Sequence, residues 1–144
     1  MHIGAVLAGA DPSQLTALSQ FAVPLGIAYQ LRDDTLGVFG SEQLTGKAVG
    51  ADLREGKQTL LSVHGLRGPH GAELASLVGN PDLDAAGVLR AQRMLRDGGS
   101  LAFSEAHSAK LLAQAATALE RLVIREDARC FLEGLTRVLV QRSE

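Results

Sequence analysis

Apolar residues recur along this chain every three to four positions and almost nowhere every second one. Behind Asp11-Pro12, the residues Leu15, Leu18, Phe21, Leu25, Ala28 and Leu31 recur at helical spacing and lead to two adjacent carboxylates, Asp33 and Asp34. Asp11 is suited to cap that helix and Pro12 to be its first residue, while Pro24 predicts a kink or one loosened hydrogen bond. Residues 1–10 are apolar nearly throughout and predict the end of a buried helix. Gly37, Gly40, Gly46, Gly50 and Gly56 predict a loop-rich connection. Helical pattern resumes near Thr59–Val63 and at Ala72–Val78. It returns over Asp84–Arg96, entered through Asn80-Pro81-Asp82 and stopped by Gly98-Gly99. A further helix spans about Leu101–Val123, with Ala109, Leu112, Ala113, Ala116, Leu119 and Val123 assigned to one face. The last carries Ala128, Phe131, Leu132, Leu135, Val138 and Leu139 in an i, i+3, i+4 stripe. With no sustained period-two alternation and no Asn-Gly hairpin, the prediction is an all-α helical bundle built largely on Ala and Leu.

Composition narrows the possible functions. At 144 residues the chain is one domain or part of one, and its 46% hydrophobic and 21% charged content is that of globular material. A net charge of -2 and 3% aromatic residues leave no footprint for nucleic acid. Every apolar run is interrupted before it reaches membrane-spanning length. The single cysteine, Cys130, excludes an internal disulfide, fits a reducing cytoplasm, and is expected to pack as a small apolar group in the last helix. The histidines His2, His64, His70 and His107 lack the spacing of a metal pair, and Arg90, Arg93 and Arg96 form a solvated helix stripe.

Candidate chemistry concentrates in residues 26–59. On a helix, Gln30, Asp33, Asp34 and Gly37 stand at i, i+3, i+4 and i+7 and share one face. Two like charges closing an apolar run are costly unless solvent or a cation takes them up, and Arg32 is the one obvious local partner. The doublet alone is also what a solvated helix end looks like. Lys47, Lys57 and Asp52 downstream change its meaning. Mg²⁺ prefers carboxylate oxygens and is commonly completed by substrate phosphates, to which Lys47 and Lys57 supply charge-assisted contacts. Asp52 serves either as a further ligand or to orient one of those lysines.

The stretch Gly26-x-Ala28-Tyr29-Gln30-Leu31-x-Asp33-Asp34-x-Leu36, followed by Phe39-Gly40, Thr45-Gly46-Lys47, Asp52-Leu53-Arg54-Glu55-Gly56-Lys57 and Thr59-Leu60, resembles the second aspartate-rich region of the trans-isoprenyl diphosphate synthases, or polyprenyl synthetases. The resemblance implies part of the isoprenoid synthase fold. It also implies a prenyltransferase of the geranyl-, farnesyl- or geranylgeranyl-diphosphate-synthase type, which condenses isopentenyl diphosphate with an allylic diphosphate. By the same resemblance Asp33 and Asp34 are Mg²⁺ ligands in a site that takes two or more ions. Gln30 is a polar contact near the reacting allyl group, and Lys47 and Lys57 contact the diphosphate.

The match departs from the family at two places that matter. Gly37 stands where many members carry a third aspartate, and Tyr29 replaces the usual Phe. No second Asp-Asp-x-x-Asp occurs in the chain. The family's first aspartate-rich motif and its isopentenyl-diphosphate-binding residues therefore lie N-terminal to the matched segment. Met1 falls inside a helix of the family fold, and residues 1–144 correspond to about the C-terminal half of the domain. The expectation is a fragment inactive by itself, a homodimer or the companion of a synthase subunit. The alternatives are a non-catalytic partner subunit of a full-length synthase, or a self-associating bundle without catalytic role. Product length is not encoded in this stretch.

Overall fold

The computed structural model describes residues 1–46 and 48–141, which form helices α1 (His2–Leu7), α2 (Pro12–Phe39), α3 (Glu42–Thr45), α4 (Ala51–Arg54), α5 (Leu60–Arg67), α6 (Gly71–Ala75), α7 (Ala85–Asp97), α8 (Ser100–Arg121) and α9 (Glu126–Gln141). Among these residues there is no strand, and no helix is long and apolar enough to cross a membrane. The start of α2 follows its predicted chemistry. Asp11 Oδ1 accepts from the backbone N–H groups of Ser13 (2.7 Å) and Gln14 (2.9 Å), while Gln14 Oε1 accepts from Asp11 N–H at 2.9 Å. This reciprocal box satisfies donors that α2 would otherwise leave open. The bonds to Ser13 and Gln14 hold the Asp11 carboxyl below its ordinary value, the Ser13 side chain contributing most. Asp84 caps α7 in the same way, accepting from Gly87 N–H at 2.7 Å, and Gly98 follows its last residue.

The chain divides into two compact units. Gln30–His107 is organised around Val38, Leu53, Leu61, Leu74, Leu83, Val88, Ala91, Met94 and Leu95. Gln92 is buried among them and donates from Nε2 to the Val38 carbonyl at 2.7 Å, which ties the last turn of α2 to α7. The Arg stripe of α7 is exposed, with Arg90 paired to Glu73 and Arg96 over the Phe39 ring at 4.7 Å.

The second unit, Met1–Tyr29 with Ser108–Glu144, has a smaller core of Phe21, Leu25, Ala115, Leu119 and Leu122. Arg129 of α9 donates to the carbonyls of Leu119 (2.7 Å) and Leu122 (2.6 Å), satisfying acceptors that the end of α8 leaves open. A cavity of about 630 Å³ here lies between α1, the start of α2 and residues 121–128.

Several expectations are corrected. Residues 2–7 are helical but not buried, with Ile3 80% and Leu7 83% exposed; an apolar sequence asks for cover, and only tertiary contacts supply it. Asp33-Asp34 does not end its helix, which runs five residues further to Phe39 and passes through Pro24. On α8 the buried positions are Ser100, Ser104, Ala115 and Leu119; of the assigned face Leu119 is buried and Leu112 half-buried, while Ala109, Ala113 and Ala116 are exposed and Val123, beyond the helix, is 91% exposed. Alanine occurs all round α8, so periodicity could not choose a side; the serines on the buried side are the residues small and polar enough to sit there. On α9 Leu132 and Leu135 are half-buried, but Phe131 and Val138 are exposed and the Leu139 side chain lies outside the described residues. Cys130 is exposed rather than packed.

Candidate functional site

Everything the site contains hangs on three short pieces of backbone. α2 presents Gln30, Asp33 and Asp34 from its interior, where the i, i+4 relation is realised as a bond: Gln30 Nε2 donates to Asp34 Oδ1 at 2.9 Å. α4 presents Asp52 and is itself pinned by Arg54, which donates from Nε to the Leu83 carbonyl at 2.9 Å and from Nη1 to the Val49 carbonyl at 2.8 Å. Gly56 then turns the chain back with φ 66°, a left-handed conformation, and a side chain there would press on Gly79 Cα at 3.0 Å.

That turn delivers Lys57. Its N–H donates to the Asp52 carbonyl at 3.0 Å, and its own carbonyl accepts from Ser62 Oγ at 2.9 Å. Ser62 belongs to the cap of α5, where Thr59 Oγ1 accepts from Ser62 N–H at 3.2 Å and Ser62 Oγ accepts from Thr59 N–H at 2.9 Å. Both sides of the Lys57 backbone are thus held, one by α4 and one by the start of α5. The ammonium reaches back to α2: Nζ lies 2.8 Å from Asp34 Oδ1 and 3.2 Å from Asp52 Oδ2.

One cation therefore serves two buried carboxylates. Asp34 is 7% and Asp52 5% exposed, whereas the Lys57 side chain is 37% exposed. The bond to Asp34 raises the Lys57 ammonium well above the ordinary lysine range; partial burial opposes this and Asp52 adds to it. The triad keeps one formal negative charge, and Asp33 stands next to it, exposed.

The structure thus brings together Gln30, Asp34, Asp52 and Lys57, with Asp33 adjacent on the same helix. Lys47 lies outside the described residues. Arg32, the expected local partner of the doublet, does not take that part; Lys57 does, from 23 positions later in the sequence. Among the described residues no three His, Cys, Asp or Glu side chains gather to enclose a metal. An arrangement of one or two carboxylates suits Mg²⁺ when water and phosphate complete its shell, so the donor set fits half of such a site. Residue patterns alone did not indicate the anchors Ser62 and Gln92. The Thr-x-x-Ser start of α5 and a lone amide inside the stripe Val88, Ala91, Leu95 were the available signals.

The family model described as polyprenyl synthetase matches residues 1–95. A geranylfarnesyl diphosphate synthase of Aeropyrum pernix is 33% identical over 142 residues, covering 98% of this chain and 44% of that protein. A farnesyl diphosphate synthase of Geobacillus stearothermophilus is 38% identical over 107 residues, 72% of this chain and 32% of its own length. Among solved structures, geranylgeranyl pyrophosphate synthase of Corynebacterium glutamicum, complexed with isoprenyl diphosphate and magnesium, superposes with a TM-score of 0.91 at 31% identity, covering 98% of this chain and 41% of that one. The chain spans less than half the length of these relatives.

Proposed function

This chain belongs to the polyprenyl synthetase family, and on that premise we propose that it carries the second of two Mg²⁺-diphosphate half-sites of a trans-prenyltransferase. The observation that carries the reading is the convergence of Asp34, Asp52 and Lys57 beside exposed Asp33. Asp33 and Asp34 are the carboxylates offered to Mg²⁺. Held there, Mg²⁺ would supply positive charge to offset that of a diphosphate leaving group, the chemistry needed for an allylic substrate to ionise before attack by isopentenyl diphosphate. The chain's own residues prepare for this: Gln30 and Lys57 fix the rotamer of Asp34, and Lys57, partly open to solvent, offers a positive charge to phosphate oxygens. Lys47 is assigned to the same diphosphate by its place in the motif.

The test is thermal unfolding of the purified chain with Mg²⁺ and pyrophosphate. The melting temperature rises by a few degrees for the wild type and not for Asp33→Ala/Asp34→Ala. No rise in the wild type, or the same rise in both, rejects the reading. One acidic half-site does not clamp a diphosphate from two sides, so the chain by itself is inactive; turnover of isopentenyl diphosphate with an allylic diphosphate by the isolated chain would show otherwise.

The exposed apolar residues Ile3, Val6, Leu7, Val23 and Ile27 support a partner, a second copy or a synthase subunit; the cytoplasm is the compartment proposed for it. Light scattering checks this: a monomer both alone and when mixed with a full-length synthase rejects it.

A further inference from the structure

Gly37 lies in the interior of α2, three residues beyond Asp34. Its φ is not positive, so no turn requires glycine, and alanine is intrinsically the better helical residue. Space is what requires it. A Cβ at position 37 would lie 2.3 Å from Oδ2, 2.4 Å from Cγ and 2.8 Å from Oδ1 of Asp52. All three atoms belong to one carboxyl group. That group is not free to swing aside, because Asp52 is 5% exposed and its Oδ2 is bound to Lys57 Nζ at 3.2 Å. Gly26 in the same helix has nothing within 4 Å of such a Cβ, so the crowding is particular to position 37.

We propose that Gly37 is a positioning residue: by presenting no side chain, α2 admits the Asp52 carboxylate into the space a residue at 37 would fill, and Asp52 so placed holds Lys57 between two acids. The inference concerns the same site and rests on the diphosphate reading for its consequence, that Lys57 is presented to a ligand from this seat. An aspartate placed at 37 competes with Asp52 instead of adding to it.

Two measurements separate the inference from the reading beneath it. The first is thermal unfolding of the metal-free chain as a double-mutant cycle. Gly37→Ala lowers the melting temperature by roughly 5 °C, whereas the same change made in an Asp52→Ala background raises it by roughly 3 °C, as alanine does in an ordinary helix. If Gly37→Ala does not fold, the double variant still decides: folding at least as stable as Asp52→Ala alone supports the inference. A Gly37→Ala chain more stable than wild type, or an equal effect in both backgrounds, overturns it.

The second is calorimetric affinity for pyrophosphate with Mg²⁺, well below any melting temperature. Gly37→Ala weakens binding roughly tenfold. Leu95→Ala, buried in the Gln30–His107 core and bonded to no member of the triad, lowers the melting temperature without changing affinity. Equal affinity for Gly37→Ala and wild type overturns the positioning role. Absence of binding to the wild type rejects the diphosphate reading and leaves the unfolding cycle to decide the Gly37–Asp52 coupling alone.

Discussion

The two units of this chain meet the cost of folding in opposite ways. All the buried polar residues described, Asp34, Asp52, Thr59, Ser62, Gln92, Ser100 and Ser104, lie in Gln30–His107. Among the residues named here, Asp34, Asp52, Thr59, Ser62, Gln92 and Ser100 are in contact with a side-chain or backbone partner. The other unit buries no polar residue among those described. Among the described residues it exposes ten large apolar side chains, from Met1 and Ile3 to Phe131 and Val138, against Val49, Leu89 and Phe103 in Gln30–His107. A region that internalises polar groups with partners for them is preorganised for chemistry, because the groups cannot relax when a ligand arrives. A region that leaves apolar groups outside gains little from burial and presents them to water or to whatever covers them.

The sharpest way to break that contrast is a pair of truncations read by denaturant unfolding. Leu95→Ala removes a side chain with no exposure from the Gln30–His107 core and costs about 3 kcal/mol. Phe131→Ala removes a larger side chain that is 70% exposed and changes stability by no more than ~0.5 kcal/mol. A large loss at Phe131 would mean that this face is already covered in solution.

Lys57→Met tests the charged part. It leaves Asp34 and Asp52 buried without their cation, but the ammonium is 37% exposed and solvent already screens it. The expected loss is about 1–2 kcal/mol, below that of a fully buried pair. The folded state raises Lys57 above its ordinary value of 10.5, so its contribution is full below that pH. As the pH climbs from 10.5 through the folded-state value, the ammonium gives up its proton and the contribution drains away. Wild type and Lys57→Met therefore converge in stability on the alkaline side; a gap that holds constant above pH 10.5 contradicts the ion-pair account.

A smaller effect is expected at Thr59→Ala, which deletes the cap of α5 and costs about 1 kcal/mol. Because Ser62 links that cap to the Lys57 carbonyl, hydrogen exchange at the Lys57–Ser62 amides should quicken in the same variant. Unchanged exchange would mean that the Gly56 turn alone holds Lys57.

Much of this was legible along the chain because the relevant signals are local. Asp11 caps its helix through bonds to residues two or three positions away, and the glycines of 40–56 stop α2 and shape short elements. Gln30 and Asp34 meet because a helix brings i and i+4 together. The order and spacing of Asp33, Asp34, Asp52, Gly56 and Lys57 carried the family, now matched over residues 1–95. What failed were questions of cover on α1, α8 and α9. The buried side of α8, the exposure of Phe131 and Cys130, and the open helix α1 depend on what lies opposite, and an apolar stripe does not name its partner.

By itself the sequence determined that the chain is helical, where its principal helices begin, which family it belongs to, and which face of α2 carries the acids. Those follow from propensity, capping and periodicity, which act over a few residues. Only the tertiary structure decided that Lys57 rather than Arg32 answers Asp34, that Asp52 is the second acid on the same cation, and that Gly37 makes room for it. These are meetings of groups 5 to 23 positions apart, and their distances are set by how α4 and the Gly56 turn pack against α2, where one added methyl group would not fit.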